Sequence, residues 1–269
     1  MTLLKKILLS ITVFVAVLYI ALCCLIYFYQ EKMIFHPTAL PAHFKFHYNG
    51  NFTEVNISAF DGKNLHGLLF KSDSSKGLVF YLHGNAGALD TWGDIADTYT
   101  ALNYDIFILD YRGFGKSEGI IFSEEQFYKD VQAAYDLMKK DYPENKIAVV
   151  GYSIGTGPAA MLAANNNPKQ LILQAPYYNL TDVGEHMYPS VTPNFLLKYK
   201  FTTNEFIQKT KAPVAIFHGD SDQVIYYGSA LKLKDHFKPG DTLFTLQAQG
   251  HGHMNENEVY QKELTVLLN

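Results

Sequence analysis

A serine between two glycines is the residue of this sequence best placed to act as a nucleophile. Ser153 is the centre of the stretch Gly-Tyr-Ser-Ile-Gly at 151–155, after an apolar run and before an alanine-rich stretch. This order predicts a strand, a sharp turn and a helix, which would hold the hydroxyl at the tip of the turn. The Ile154 N–H, at the start of that helix, could then stabilise an oxyanion. The alternative is a glycine-rich turn without a chemical role.

A serine hydroxyl needs a base to remove its proton and an acid to orient that base. Both types of residue follow later predicted strands, and their candidates are Asp220, Asp222, His251 and His253. We favour Asp222, because it lies past the tight turn, whereas an aspartate at 220 is typical of a turn cap. For the base we favour His253 over His251, because Gly252 gives the loop room to approach the serine. The chain order is then Ser, Asp, His.

Two further groups complete the candidate site. His83-Gly84-Asn85 ends another predicted strand, and the Asn85 backbone N–H is the predicted second oxyanion donor. His83 itself is predicted to be structural. The histidines at 251 and 253 could instead bind a metal, but no third ligand stands at a recognisable spacing. We therefore predict no metal and no cofactor.

The predicted elements bring these groups to one edge of a sheet. The eight predicted strands lie at residues 54–58, 65–70, 78–82, 105–109, 146–150, 171–174, 213–217 and 242–246. The first two form a hairpin, and helices alternate with the later strands, which is typical of a mostly parallel sheet flanked by helices. Functional groups of such α/β sheets gather at the carboxyl ends of the strands.

Composition limits the possible functions. The chain has 269 residues, of which 48% are hydrophobic and 18% charged, and a net charge of −4. This charge offers no basic surface for nucleic acid. Both cysteines, Cys23 and Cys24, are adjacent within the apolar N-terminal run. The rest of the sequence therefore has no thiol for zinc binding or for nucleophilic catalysis.

The N-terminal run predicts a membrane anchor. It begins at Ile7, ends at Tyr29 and carries no charge. As a helix it would be about 35 Å long, enough to cross a hydrocarbon core of about 30 Å. A cleavable signal peptide is the alternative, but its apolar core is shorter. Because Lys5 and Lys6 precede the run, the N-terminus is expected in the cytoplasm and the catalytic domain on the other side of the membrane.

The sequence divides into three predicted parts. Residues 1–32 form the cytoplasmic tip and the transmembrane anchor, residues 33–50 a linker, and residues 51–269 one domain. Within the domain, residues 175–212 join two strands by a connection long enough to have a function of its own. We predict a short lid over the serine, suited to an acyl chain, with the aromatic candidates Tyr177, Tyr178, Tyr188 and Phe195. A plain crossover helix is the alternative.

Five motifs together resemble the α/β-hydrolase superfamily. They are HGNAG at 83–87, DYRGFGKS at 110–117, GYSIG at 151–155, HGDSD at 218–222 and GHGH at 250–253. More closely, they resemble its single-pass membrane-anchored α/β-hydrolase-domain serine hydrolases, which are similar to the serine aminopeptidase-like branch. This resemblance implies the α/β-hydrolase fold over residues 33–269, with Ser153, Asp222 and His253 as the triad. The sequence departs from the family after the histidine, where Met254 stands in place of an acidic residue or asparagine, and this keeps His251 open as the base.

The leading hypothesis is a membrane-anchored serine hydrolase that cleaves carboxylic esters or thioesters, with lipid-like acyl groups, through an acyl-enzyme. A serine peptidase or aminopeptidase would use the same groups. An inactive, membrane-tethered binding protein of the same fold is a third hypothesis, because a fold does not determine a function.

Overall fold

The computed structural model describes residues 2–189 and 196–269, and its centre is an eight-stranded sheet. The strands are β1 Asn51–Ser58, β2 Asn64–Lys71, β3 Leu78–Leu82, β4 Asp105–Asp110, β5 Ile147–Tyr152, β6 Gln170–Gln174, β7 Val214–Gly219 and β8 Thr242–Leu246. Their order across the sheet is β8-β7-β6-β5-β3-β4-β2-β1. Strand β2 is antiparallel to β1 and β4, and the other neighbours are parallel. The predicted mostly parallel sheet is confirmed.

Helices cover both faces of this sheet. The α-helices in chain order are α1 Leu3–Ile34, which precedes the sheet, and then α2 Leu89–Trp92, α3 Ala96–Thr100, α4 Glu124–Met138, α5 Thr156–Asn165, α6 Leu180–Met187, α7 Thr203–Lys209, α8 Gly228–Lys234 and α9 Glu258–Leu268. Phe80 and Tyr81 of β3 are both fully buried, but they belong to different core clusters. Successive strand residues point to opposite faces, so each face has its own apolar core.

Helix α1 is long and apolar enough to cross a membrane, and its most apolar stretch is not buried within the protein. Its last turns differ from that stretch because they contact the domain. Gln30 is 2% exposed, donates a hydrogen bond to the Leu196 carbonyl group (3.2 Å) and accepts one from the Lys198 N–H (2.8 Å). The helix continues to Ile34. The predicted anchor segment, residues 1–32, ends two residues earlier.

Residues 33–50, predicted as a linker, lie against the domain. Phe35 is buried and its ring stands 5.8 Å from that of Phe127 and 5.5 Å from that of Tyr199. The next two residues, His36–Pro37, pair in parallel with Ala86–Gly87. The chain that leaves α1 is therefore fixed to the loop that follows β3.

Candidate active site

Ser153 occupies the sharp turn between β5 and α5. Its φ of +52° lies in the left-handed region, which a residue with a side chain adopts at a cost. The flanking glycines make this turn possible, because a Cβ on Gly155 would overlap the Leu82 carbonyl oxygen and one on Gly151 would overlap the Gly155 carbonyl oxygen. Ser153 itself is 7% exposed. The serine is thus held at the carboxyl end of a central strand, where the sequence places it.

His251 stands between the serine and an aspartate. Its Nε2 is 3.0 Å from the Ser153 Oγ, and its Nδ1 is 2.7 Å from the Asp222 Oδ2. A carboxylate can accept only from a protonated nitrogen, so Nδ1 donates to Asp222 and Nε2 is free to accept from the serine hydroxyl. This arrangement can remove the hydroxyl proton and hold the resulting imidazolium.

The prediction of His253 as the base is corrected by this geometry. The His253 side chain is 82% exposed, and its Nδ1 bonds to Glu256 at 2.8 Å. Its backbone is left-handed, with φ +58°, and begins a short 3-10 turn at Met254–Glu256. The space that Gly252 provides is open solvent, because a Cβ there would have no neighbour within 4 Å. The alternative that the sequence left open, His251, is the residue beside the serine.

Asp222 is fixed in its ionised form. Its Oδ1 accepts hydrogen bonds from the Val224 and Ile225 N–H groups at 2.8 and 2.9 Å. Burial favours the neutral acid, but the hydrogen bonds of His218 and His251 outweigh it, and the pKa of Asp222 is well below its usual value. By contrast, the Asp220 Oδ1 accepts from the Ala248 N–H at 2.8 Å, which joins the loop after β7 to the loop after β8.

Two residues that the sequence analysis did not assign support this arrangement. His218 is fully buried, and its Nε2 lies 2.8 Å from the Ile225 carbonyl oxygen and 3.3 Å from the Asp222 Oδ2. Tyr152 donates a hydrogen bond to the His251 carbonyl group at 2.9 Å, and the two rings are 5.3 Å apart. His218 begins the HGDSD motif and Tyr152 precedes the serine, so their positions in the motifs were the available signal.

The two predicted oxyanion donors lie at the ends of adjacent parallel strands, since β3 and β5 are neighbours. Among the described residues, neither the Asn85 N–H nor the Ile154 N–H donates a hydrogen bond to a protein group. The Asn85 carbonyl group accepts from the His36 N–H at 2.7 Å, and the Asn85 Nδ2 donates to the Ile34 carbonyl group at 3.0 Å. The end of α1 therefore holds the loop that carries Asn85.

The four predicted lid residues have different environments. Tyr177 is 1% exposed, and its hydroxyl group donates to the Ile154 carbonyl group (2.9 Å) and accepts from the Gly157 N–H (3.0 Å), so it supports the serine turn from inside and the lid prediction for it is wrong. Tyr178 bonds to His236 at 3.1 Å, beside α8. Tyr188, at the end of α6, is 54% exposed. Phe195 lies outside the described residues.

His83 is a structural residue. It is fully buried, and its ring lies 4.3 Å from that of Tyr111 and 5.4 Å from that of Trp92. Burial lowers the pKa of His83 to about 4, so the ring is neutral near pH 7. Within the described residues, no cluster of three or more His, Cys, Asp or Glu side chains could hold a metal ion.

Several known proteins are similar to this chain in sequence. The family model described as serine aminopeptidase S33 matches residues 73–199. An uncharacterized protein of Mycobacterium tuberculosis is 30% identical over 200 residues, which cover 73% of this chain and 71% of that protein. The human alpha/beta hydrolase domain-containing protein 17B is 33% identical over 201 residues, which cover 72% of this chain and 65% of the human protein.

Solved structures agree on the fold. A Pyrococcus furiosus esterase superposes with a TM-score of 0.69 at 18% identity, over 87% of this chain and 97% of the esterase. Est1E of Butyrivibrio proteoclasticus, solved with ferulic acid, gives 0.65 at 20% identity, over 80% of this chain and 99% of Est1E. From the sheet order, the matching family model, the human relative and the shared fold, we conclude that the chain belongs to the α/β-hydrolase superfamily and is a hydrolase.

Proposed function

We propose that this protein is a membrane-anchored serine hydrolase that cleaves carboxylic esters or thioesters of lipid-like acyl groups. The observation that carries the proposal is the continuous hydrogen-bonded series from the Ser153 Oγ through His251 to Asp222. A buried serine without such a partner would be inert, because its hydroxyl group is a weak nucleophile near neutral pH.

In the proposed reaction, His251 Nε2 takes the serine proton while Ser153 Oγ bonds to the substrate carbonyl carbon. The proton then passes to the leaving alkoxide or thiolate as its bond to carbon breaks, and an acyl-serine remains. A water molecule, deprotonated by the same nitrogen, attacks the acyl carbon. The bond to Ser153 Oγ then breaks, His251 returns the proton to Oγ, and the acid is released. Asp222 remains ionised throughout and stabilises the imidazolium. The substrate oxyanion would bind the backbone N–H groups of Asn85 and Ile154.

Contacts at the end of α1 support permanent anchoring over a cleaved signal peptide. Gln30 is buried against the domain by two hydrogen bonds, and Glu31 forms an ion pair with Lys198 at 3.0 Å. A removable leader has no reason to complete the packing of the mature domain. The lysines before the span, Lys5 and Lys6, support a cytoplasmic N-terminus and a domain on the other side.

An aminopeptidase is the second candidate, and the description of the matching family model favours it. Such an enzyme must also bind the ammonium group of its substrate, which requires a carboxylate that is not already engaged. Asp222 cannot take this role, because its two oxygens accept from His251, Val224 and Ile225. An aminopeptidase would therefore need a second carboxylate near Ser153. The complete triad geometry argues against a catalytically inactive binding protein.

The proposal predicts that Ser153→Ala abolishes hydrolysis of p-nitrophenyl esters by the full-length protein in detergent. Loss of the nucleophile should lower kcat by about 10⁶-fold, which is below detection. A matched control is Ser221→Ala, which removes an exposed hydroxyl group that bonds to Asp220 and should keep the activity. Esters with short, medium and long acyl chains would describe the acyl preference. Equal activity of Ser153→Ala and wild type, without labelling of Ser153 by a fluorophosphonate, would contradict the proposal.

A second prediction concerns the side chain of Asn85. Asn85→Ala keeps the proposed oxyanion donor but removes the hydrogen bond to the Ile34 carbonyl group. Such a bond contributes about 1 kcal/mol, so a loop loosened by that amount should lower kcat about five-fold with little change in KM. Steady-state kinetics check this result. Gln208→Ala, which removes an exposed side-chain bond to the Asn204 carbonyl group, is the control. A change in KM alone would show that Asn85 contacts the substrate instead.

A further inference from the structure

A cavity of about 400 Å³ lies where α1 joins the domain. One wall belongs to the end of α1 and the residues after it, and the other to the loop between β4 and α4. Apolar side chains dominate the lining, including Phe28, Phe35, Phe114, Ile120 and Phe122. The cavity is open to the exterior, and its volume is in the range of pockets that bind small molecules.

This cavity lies at the level where α1 would leave the membrane. Phe28 belongs to the apolar run of α1 and is 68% exposed, as expected of a residue that faces lipid. Ile120 and Phe122 line the same cavity and are 73% and 52% exposed. Exposed apolar side chains at this position would otherwise contact water. The apolar surface of the span thus continues into the cavity.

A cation at the cavity, Lys32, is available to an anion. By contrast, Arg112 pairs with two aspartates, Asp61 and Asp130, and Lys198 pairs with Glu31. Lys32 has no carboxylate partner among the described residues, and its Nζ lies 5.5 Å from the centre of the Tyr29 ring. Its position directly after the apolar run is where the headgroups of lipids would lie.

We propose that this cavity binds an acyl chain of an anionic phospholipid from the surrounding bilayer, with the headgroup at Lys32. The proposal rests on the membrane insertion of α1 proposed above, and it does not depend on catalysis. Continuity with the lipid-facing surface of α1 favours a bilayer lipid over the acyl group of a substrate. The cavity wall at Phe35 adjoins Ile34, whose carbonyl group accepts from the Asn85 side chain. A bound lipid would therefore contact the chain segment that holds the proposed oxyanion loop.

The test is photo-crosslinking of full-length Ser153→Ala protein in vesicles made with a diazirine-labelled phosphatidylglycerol. Sodium carbonate extraction first establishes whether the protein is inserted. Trypsin then releases the peptides spanning residues 33–45 and 117–129, each of which carries part of one cavity wall. We expect crosslinks in both peptides, and we expect their loss in the double variant Ile120→Asp, Phe122→Asp. The matched control, Val259→Asp with Val266→Asp, changes two exposed valines of α9 and should keep them.

A second arm measures headgroup preference with a diazirine-labelled phosphatidylcholine. One lysine at a membrane surface changes the preference for anionic lipid by about five-fold, so Lys32→Gln should lower the ratio of the two crosslinking yields by about that factor. This ratio is read from peptide 117–129, because the variant loses the trypsin site that releases peptide 33–45. A protein that carbonate extracts would overturn both the anchoring and the lipid site. An inserted protein without crosslinks in peptides 33–45 and 117–129 would overturn the lipid site alone. Displacement of the crosslinks by excess p-nitrophenyl laurate would assign the cavity to the substrate instead, and would also overturn the proposal.

Discussion

Replacing His251 with alanine should lower kcat for ester hydrolysis by about 10⁵ to 10⁶-fold, because the serine loses its base. The sequence offers a matched control two residues away. His253→Ala removes an exposed ring that bonds to Glu256, and surface substitutions of this kind change free energies by about 0.5 kcal/mol, so kcat should stay within about two-fold of wild type. Steady-state kinetics of both variants on p-nitrophenyl esters make this comparison.

Fluorophosphonate labelling gives an independent result for the same pair. The probe reacts with an activated serine, so Ser153 should be labelled in His253→Ala and in wild type, and far more slowly in His251→Ala. Thermal unfolding should show that His251→Ala remains folded, because the ring is partly exposed and packs beside Tyr152 at the surface of the site. If His253→Ala lost activity while His251→Ala kept it, the assignment made from the geometry would be wrong.

Asp222→Asn should lower kcat by about 10⁴-fold with little change in KM. The asparagine Oδ1 can still accept from the Val224 and Ile225 N–H groups, so the side chain should keep its place. Its Nδ2 would then face His251 and donate to the ring nitrogen that the aspartate holds protonated. The imidazole would be held in the tautomer that protonates Nε2 and cannot accept the serine proton.

The chain again contains a matched control for this substitution. Glu256→Gln replaces the carboxylate that pairs with His253. Both side chains are exposed, Glu256 to 77% and His253 to 82%. Burial and hydrogen bonding, not the mere presence of a His–carboxylate pair, should decide the effect, so Glu256→Gln should keep full activity. An Asp222→Asn protein that retained wild-type kcat would show that His251 is oriented by other groups, of which the Tyr152 hydroxyl group is the first candidate.

The sheet could be predicted from the sequence because its signals are local. Buried strands such as β3 are continuous apolar runs, and the alternation with helical segments fixes the mostly parallel topology. The signal for the serine turn is also local, because Gly151 and Gly155 lack the side chains that would overlap the backbone around the turn. Turn chemistry favours Asp222 over Asp220, and Asp222 is the aspartate that contacts His251.

The histidine beside Ser153 could not be chosen from sequence order, because His251 and His253 are two positions apart in one loop and the path of that loop decides between them. The Tyr152 hydroxyl group holds the His251 carbonyl group, a contact across 99 residues of sequence, whereas His253 turns away into a 3-10 turn. The prediction of Tyr177 as a lid residue is wrong for a similar reason. Its neighbours in the long connection are aromatic too, and periodicity does not indicate that its hydroxyl group bonds to the Ile154 carbonyl group inside the protein.

The rigid junction between α1 and the domain also limits which substrates can be reached. A flexible tether of n residues lets a domain sample a range of heights that grows with √n. Here α1 remains helical to Ile34, and His36 and Thr38 are already hydrogen-bonded to the loop at Asn85 and Gly87. If α1 spans a membrane, Ser153 works at one nearly constant height above the bilayer. An acyl bond would then be selected by its distance from the membrane as well as by its chemistry.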